Sequence, residues 1–227
     1  MREELVSDID HVTYVCEEGD SARILEFYRK TCGMKRFLVS PTEDQVRGVE
    51  IREEVGMRLM AGEWLSEWMC REEGVEWGQD EDKEGSNFKL VLAEPLPDSP
   101  HSHVTSFLTA HHGPGLQHIG LATSRMAHTV QVLKSGGAGF RQPPPTYYSL
   151  EGKREQIEAM GGEPEVFRDL GILIDPEQGD QGSYILQIFT QPLFAENTFF
   201  MEVKENVILH LRFSDISAPD ILQMTHF

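Results

Sequence analysis

Two stretches of this chain open alike, run into a helix alike and leave it alike, and this internal repeat narrows the folds available. Residues 7–16, SDIDHVTYVC, and residues 115–123, GLQHIGLAT, are rich in β-branched and apolar residues and read as strands. A helix follows each. In the first copy Asp20 or Ser21 is the cap, Ile24, Phe27, Tyr28 and Thr31 share one face, and Gly33 ends the helix. In the second copy Ser124 is the cap, Met126, Val130 and Leu133 form the buried face, and Gly136 and Gly137 stop it. The exits also match, FYRKTCGMKRF against VLKSGGAGFRQ. Further strands are expected over 34–40, 47–60 and 87–93, then over 163–168, 171–175, 183–190 and 198–204, with GDQGS turning a hairpin. Each copy is therefore roughly one α+β unit, a strand, a helix and then three strands, with one strand more expected in the second copy. Neither sheet buries both faces alone, so the pattern predicts tandem βαβββ modules curled as a half-open barrel around one cleft.

The modules span 1–98 and 115–205, with a linker over 99–114 that carries Pro100 and a short amphipathic helix near 103–110. Residues 206–227 belong to neither copy. The segment TYYSLEGKREQIEAMGG is expected to form a helix over the cleft mouth, with Tyr147 or Tyr148 packing. An acidic insertion over 63–85 supplies much of the net charge of -18, which argues against nucleic acid or an anionic membrane as partner. No apolar run is long enough to span a membrane, and MREELVSDID has neither a secretory nor a transit character. Cys16, Cys32 and Cys70 have no metal-ligand spacing, and a reducing compartment is the simplest fit.

His11 and His118 stand at matching places in the two opening strands. Alternation puts His11 on a face with Ile9 and Thr13, and His118 with Leu116 and Gly120. Glu202 lies among Phe199, Phe200, Met201 and Val203, where a carboxylate needs a partner because burying it unpaired is costly. A metal is one such partner. Two imidazoles and one carboxylate on one side of a metal leave positions open for substrate and oxygen. By themselves the three are a weak signal, since a strand histidine is more often a satisfied core or edge residue. His101, His103, His111 and His112 also cluster, but adjacent His111 and His112 cannot share a helix face, and a solvated linker explains them better than zinc.

The blocks GPGLQHIGLAT, PTYYSL, YILQIFTQP and TFFMEV, with IDHV at 9–12, resemble in order and spacing the catalytic half of the 4-hydroxyphenylpyruvate dioxygenase family. That family belongs to the vicinal-oxygen-chelate superfamily. The stretches GGEPEVFRDLGILID and FAENTFFMEV look closer still to its dioxygenase-like sister group. The resemblance covers about residues 7 to 204 and is weakest over 40–90. It implies Fe(II) held by His11, His118 and Glu202, with O2 and an aromatic 2-oxo acid of the 4-hydroxyphenylpyruvate type as co-substrates. Gln117, Gln187, Phe189 and Phe200 fall on positions associated with substrate, and Gln187 and Phe189 share one strand face. Where the family has Ser, Asn and Gln, this chain has Glu53, Ala93 and His103. Changed hydrogen bonding around a keto acid alters what the activated oxygen attacks. Oxidative decarboxylation with benzylic hydroxylation to 4-hydroxymandelate is the favoured outcome, and ring attack to homogentisate the alternative.

The resemblance includes neither the family's N-terminal domain nor the Gly/Asn-rich loop and closing helix that follow its glutamate. A non-catalytic form that keeps the metal site is therefore a second reading. A third is a metal lyase or isomerase, which commonly uses four ligands and would require Glu94 to reach the metal. The sister group suggests mitochondria and the dioxygenase suggests cytosol; oligomeric state is not readable.

Overall fold

The two opening strands lie side by side at the centre of a single mixed sheet, and each module is laid outward from there. The computed structural model describes residues 4–40, 43–52, 56–64, 88–99, 102–176, 182–194 and 196–208. The first module comprises β1 (Asp8–Val15), α1 (Ser21–Cys32), β2 (Lys35–Phe37), β3 (Val49–Ile51), β4 (Met57–Trp64) and β5 (Phe88–Pro95). After α2 (His103–His111) come β6 (Gly115–Ala122), α3 (Met126–Ser135), a 3₁₀ turn (Pro145–Ser149), α4 (Lys153–Ala159) and α5 (Pro164–Leu170). Strands β7 (Leu173–Pro176), β8 (Ser183–Phe189) and β9 (Phe200–Ile208) complete it. The sheet order is β2-β4-β5-β1-β6-β9-β8-β7, with β3 paired to β4. Strands β1 and β6 pair antiparallel, and each pairs in parallel with the last strand of its own module, β5 or β9. The sheet curls into a half-barrel with helices beside it.

Alternation sorts each strand between two environments. On β8, Leu186 and Ile188 face the helices and are buried, while Ile185, Gln187 and Phe189 line the concave side. The second module's core joins Val130, Ile157, Phe167, Ile172, Ile174 and Val203. The first has a smaller core of Leu25, Met34, Met60, Leu90 and Leu92. Val15, Ala93, Val104 and Phe107 fasten α2 to the sheet.

Several local expectations change. Residues 163–168, expected as a strand, form α5, because Pro164 starts a helix and Gly171 at φ 80° ends it, burying Phe167 and Leu170 on one face. The expected strand 47–60 is instead the hairpin pair β3 and β4. On α1 the buried stripe runs through Ser21, Ile24, Leu25 and Tyr28, whereas Phe27 and Thr31 are exposed. The segment after Pro145 covers the helix side of the sheet rather than the cleft mouth. There Tyr148 Oη donates to the Ile172 carbonyl at 2.9 Å, and Ile157 enters the core. Strand β9 runs on to Ile208. The acidic stretch beyond Trp64, most of GDQGS, Glu53, His101, Cys70 and residues 209–227 lie outside the described residues. No described helix is long and apolar enough to cross a membrane.

Neither Asp20 nor Ser124 caps its helix with a side chain. A buried carboxylate from the module's last strand does so instead. Glu94 Oε2 accepts from the Ser21 amide at 3.0 Å, and Glu205 Oε2 accepts from the Met126 amide at 2.7 Å. Negative charge at a helix N-terminus meets both orphan N–H groups and the positive end of the helix dipole. The two glutamates are register equivalents in the repeat: Thr13 pairs with Val91 three residues before Glu94, and Gly120 pairs with Glu202 three residues before Glu205.

Candidate metal centre

His11, His118 and Glu202 come from β1, β6 and β9, three neighbouring strands. His11 pairs with Gly120 on β6, and Gly120 pairs with Glu202 on β9, so the outer two residues flank a glycine in one row across the sheet. His118 reaches in from the next residue on that face of the central strand. Gly120 is needed by steric contact: a Cβ there would stand 2.4 Å from His11 Cε1 and 2.5 Å from its Nδ1. The three inward atoms form a nearly equilateral triangle. His11 Nε2 lies 3.2 Å from His118 Nε2, and each lies 3.3 Å from Glu202 Oε2. Donors at about 2.0–2.2 Å from one ion, at angles near tetrahedral or octahedral, stand about 3.0–3.4 Å apart, so this set fits a single metal. It is the one such cluster among the described residues.

The residue before each histidine fixes that ring. Asp10 Oδ1 accepts from His11 Nδ1 at 2.8 Å, and Gln117 Oε1 accepts from His118 Nδ1 at 3.2 Å. With both Nδ1 protons so engaged, the Nε2 atoms face the triangle. Asp10 is itself held by Lys204 at 2.9 Å and Lys89 at 3.7 Å. Burial works against charge on His11, but hydrogen bonds and negative charge from Asp10 and Glu202 outweigh it and raise its pKa to about 9. Burial pushes His118 down, and Glu202 only partly offsets this. Burial alone would raise Glu202, yet both histidines hold it well below the usual carboxylate range. Glu202 is 4 % exposed, so its charge is compensated by these imidazoles rather than by water.

A cavity of about 500 Å³ opens onto the triangle. Gln117, Gln187, His103, Phe189 and Phe200 all line it, as does Ala93, whereas Glu53 lies outside the described residues. Phe200 stacks on the His118 ring, with centroids 4.9 Å apart and planes at 18°, and Phe189 meets both rings edge-on. His103 opens α2 and is exposed at the cavity rim; contact with the wall and then the charges of His118 and Arg141 lower its pKa. His111 stacks on Phe107 instead, and His112 is the α2 C-cap. Asp10, Lys89, Lys204, Arg141 and Gly120 did not stand out from the sequence. Asp10 had one available signal: like Gln117, it immediately precedes a ligand-candidate histidine.

Glu94 does not reach the triangle. Its Oε1 accepts from Arg58 at 2.6 Å, and its Oε2 caps α1. The register equivalent of Glu202 in the first module is Val91, an apolar residue on the cavity wall. The fourth ligand of a symmetric site is thus replaced by an aliphatic side chain. One side of the donor set remains open to the cavity.

Residues 10–152 match the profile of the Glyoxalase/Bleomycin resistance protein/Dioxygenase superfamily. The chain is 37% identical over 201 residues to a human 4-hydroxyphenylpyruvate dioxygenase-like protein, covering 87% of this chain and 49% of that protein. It is 34% identical over 124 residues to 4-hydroxyphenylpyruvate dioxygenase of Neurospora crassa, covering 53% of this chain and 29% of that one. A triple mutant of 4-hydroxymandelate synthase from Streptomyces coelicolor shares the fold, with TM-score 0.63 at 23% identity over 92% of this chain and 51% of that one. The chain spans about half the length of the dioxygenase-like relatives it matches.

Proposed function

Because the chain belongs to the Glyoxalase/Bleomycin resistance protein/Dioxygenase superfamily, we propose that it carries the catalytic centre of an Fe(II)-dependent oxygenase acting on aromatic 2-oxo acids of the 4-hydroxyphenylpyruvate type. The observation that carries this reading is the three-donor triangle with its open side facing an apolar cavity. Two imidazoles and one carboxylate, with open positions, are the donor set that suits ferrous oxygenases, whereas Val91 removes the fourth donor a lyase-type site would use. His11, His118 and Glu202 would hold the ferrous ion, which would supply the redox chemistry by which O2 gives one oxygen atom to the carboxylate left after loss of CO2 from the 2-oxo acid and the other to the hydroxylated aromatic fragment.

The chain's own groups position and protect. Asp10 and Gln117 keep both imidazoles aimed inward, and Glu202 contributes the single negative charge. Phe189 and Phe200 brace His118 and keep water from that side of the cavity. Gln187 offers an amide from the cavity wall to the substrate's oxygens. Ala93 and His103 stand where the family has polar amides, and this shifts hydroxylation toward the benzylic carbon, giving 4-hydroxymandelate.

Oxygen uptake on adding 4-hydroxyphenylpyruvate to the iron-loaded full-length protein, with product analysis, tests the reading. Stoichiometric uptake yielding hydroxymandelate is expected, and His118→Ala should abolish it. Undiminished turnover in that variant, or no Fe(II) binding by the parent, would overturn the assignment.

A further inference from the structure

The chain carries a net charge of -18, yet the cavity wall has the opposite balance: Lys89, Arg141 and Lys204 against Asp10 and Glu202. Such a local inversion draws anions into an otherwise acidic molecule. Two of the three cations are committed, since Lys89 and Lys204 both pair with Asp10. Arg141 differs. Among the described residues no carboxylate pairs with it; its Nη2 donates to the amide oxygen of Asn197 at 3.1 Å. Its guanidinium lies over the Phe200 ring, 4.7 Å from the centroid, and that same ring stacks on His118. Arg141 is exposed, so it stands where the cavity meets solvent. The cation–π contact and the Asn197 hydrogen bond together fix the plane of a group that presents several further donors.

We infer that Arg141 is an anion-binding residue at the cavity mouth, which selects aromatic acids bearing a second acidic group at the end remote from the His11–His118–Glu202 triangle. A planar guanidinium offers two parallel N–H groups to a carboxylate, whereas a neutral phenol makes only a single bond with it. Apolar residues of the cavity lining, including Ile185, Phe189 and Phe200, suit the aromatic body joining two acidic ends. This inference builds on the proposed oxygenase reading in one respect: the triangle is taken as the place of the 2-oxo acid end.

The test is calorimetric binding of phenylpyruvate and 4-carboxyphenylpyruvate to the full chain loaded with redox-inert Zn(II), so that no turnover is needed. The parent should bind the 4-carboxy compound about tenfold more tightly, the gain of one charge-assisted bidentate pair at an accessible site. Arg141→Leu should erase that preference, weakening the 4-carboxy compound more than phenylpyruvate, because only the second carboxylate loses a direct hydrogen-bonding partner. Arg141→Lys, which keeps the charge without the fork, should retain part of the preference and serves if the leucine variant folds poorly. No preference in the parent, or one that survives Arg141→Leu undiminished, overturns the inference. An Arg141-dependent preference in a protein that consumes no oxygen when iron-loaded would instead count against the oxygenase reading alone.

Discussion

The two modules share a scaffold and differ in chemistry, and the positions at which they differ are those around the candidate metal site. In each, the last strand sends a buried glutamate, Glu94 or Glu205, to cap the helix that follows the first strand. In each, the first strand carries one inward histidine oriented by the residue before it. Three residues before the capping glutamate the likeness ends: the second module has Glu202 and the first has Val91. The frame is common to both modules, and under the proposed metal reading one carboxylate against one isopropyl group would decide how many coordination positions the protein fills. Exchanging them is the strongest way to break the comparison. Glu202→Val should reduce Fe(II) affinity more than about a hundredfold, beyond what outer-shell changes cost, and bring oxygen uptake to background. Val91→Glu should keep the metal but fill an open position, lowering turnover by a similar factor of about a hundred. Metal titration and an oxygen electrode separate the outcomes; a Val91→Glu variant as active as the parent would show that the open side is not where substrate enters.

The residues that orient the histidines form the next contrast. Asp10 is charged and Gln117 neutral, which accounts for much of the opposite titration of their partners, His11 raised to about 9 and His118 lowered. In metal-free protein a proton on His11 competes with the metal, so affinity should climb as pH rises toward about 9 and then level. The same shift stabilises the metal-free fold: its contribution is complete below His11's ordinary value of 6.5 and is lost as pH rises through about 9. Asp10→Asn makes the first module resemble the second. It should lower metal affinity about 10- to 100-fold at high pH, less at neutral pH where proton competition also eases, and move the plateau to lower pH. Calorimetry at several pH values checks this. An unchanged plateau would mean that Asp10 is a bystander.

How much of this was legible in the sequence follows from range. His11 and His118 were visible because the repeat aligns them, and Glu202 because a lone carboxylate in an apolar strand demands a partner. That they meet depends on β1, β6 and β9 being neighbours, which periodicity does not encode and the family resemblance implied. Asp10 is hidden because an acidic residue near a strand end looks like ordinary surface. Arg141 lies in a connection after α3, where no period marks which way a side chain points. The caps have a related reason: Asp20 holds the N-cap position of α1 without a side-chain bond, Arg125 rather than Ser124 holds that of α3, and the carboxylates that bind these helix ends come from Glu94 and Glu205, more than seventy residues away in sequence. Helix α5, under two turns long, gives too little periodicity to outweigh its apolar residues, and only Pro164 and Gly171 marked it.

Those buried caps give the smallest and most discriminating test. Glu94→Gln and Glu205→Gln keep side-chain shape and an oxygen for the helix amide, but remove the charge that favours the helix N-terminus. Each should cost about 1–2 kcal/mol, or about 3–6 °C in melting temperature for a chain of this size. Glu94→Gln also leaves Arg58 with a weaker partner on that side, although Glu50 still holds it at 2.8 Å. Metal affinity should stay within about twofold in both variants, because that is the scale of scatter for residues with no shared partners. Equal, modest losses of stability with intact metal binding would show that the modules are interchangeable as scaffold. A selective loss of metal in Glu94→Gln would instead return Glu94 to the metal site, and with it the four-ligand chemistry that Val91 argues against.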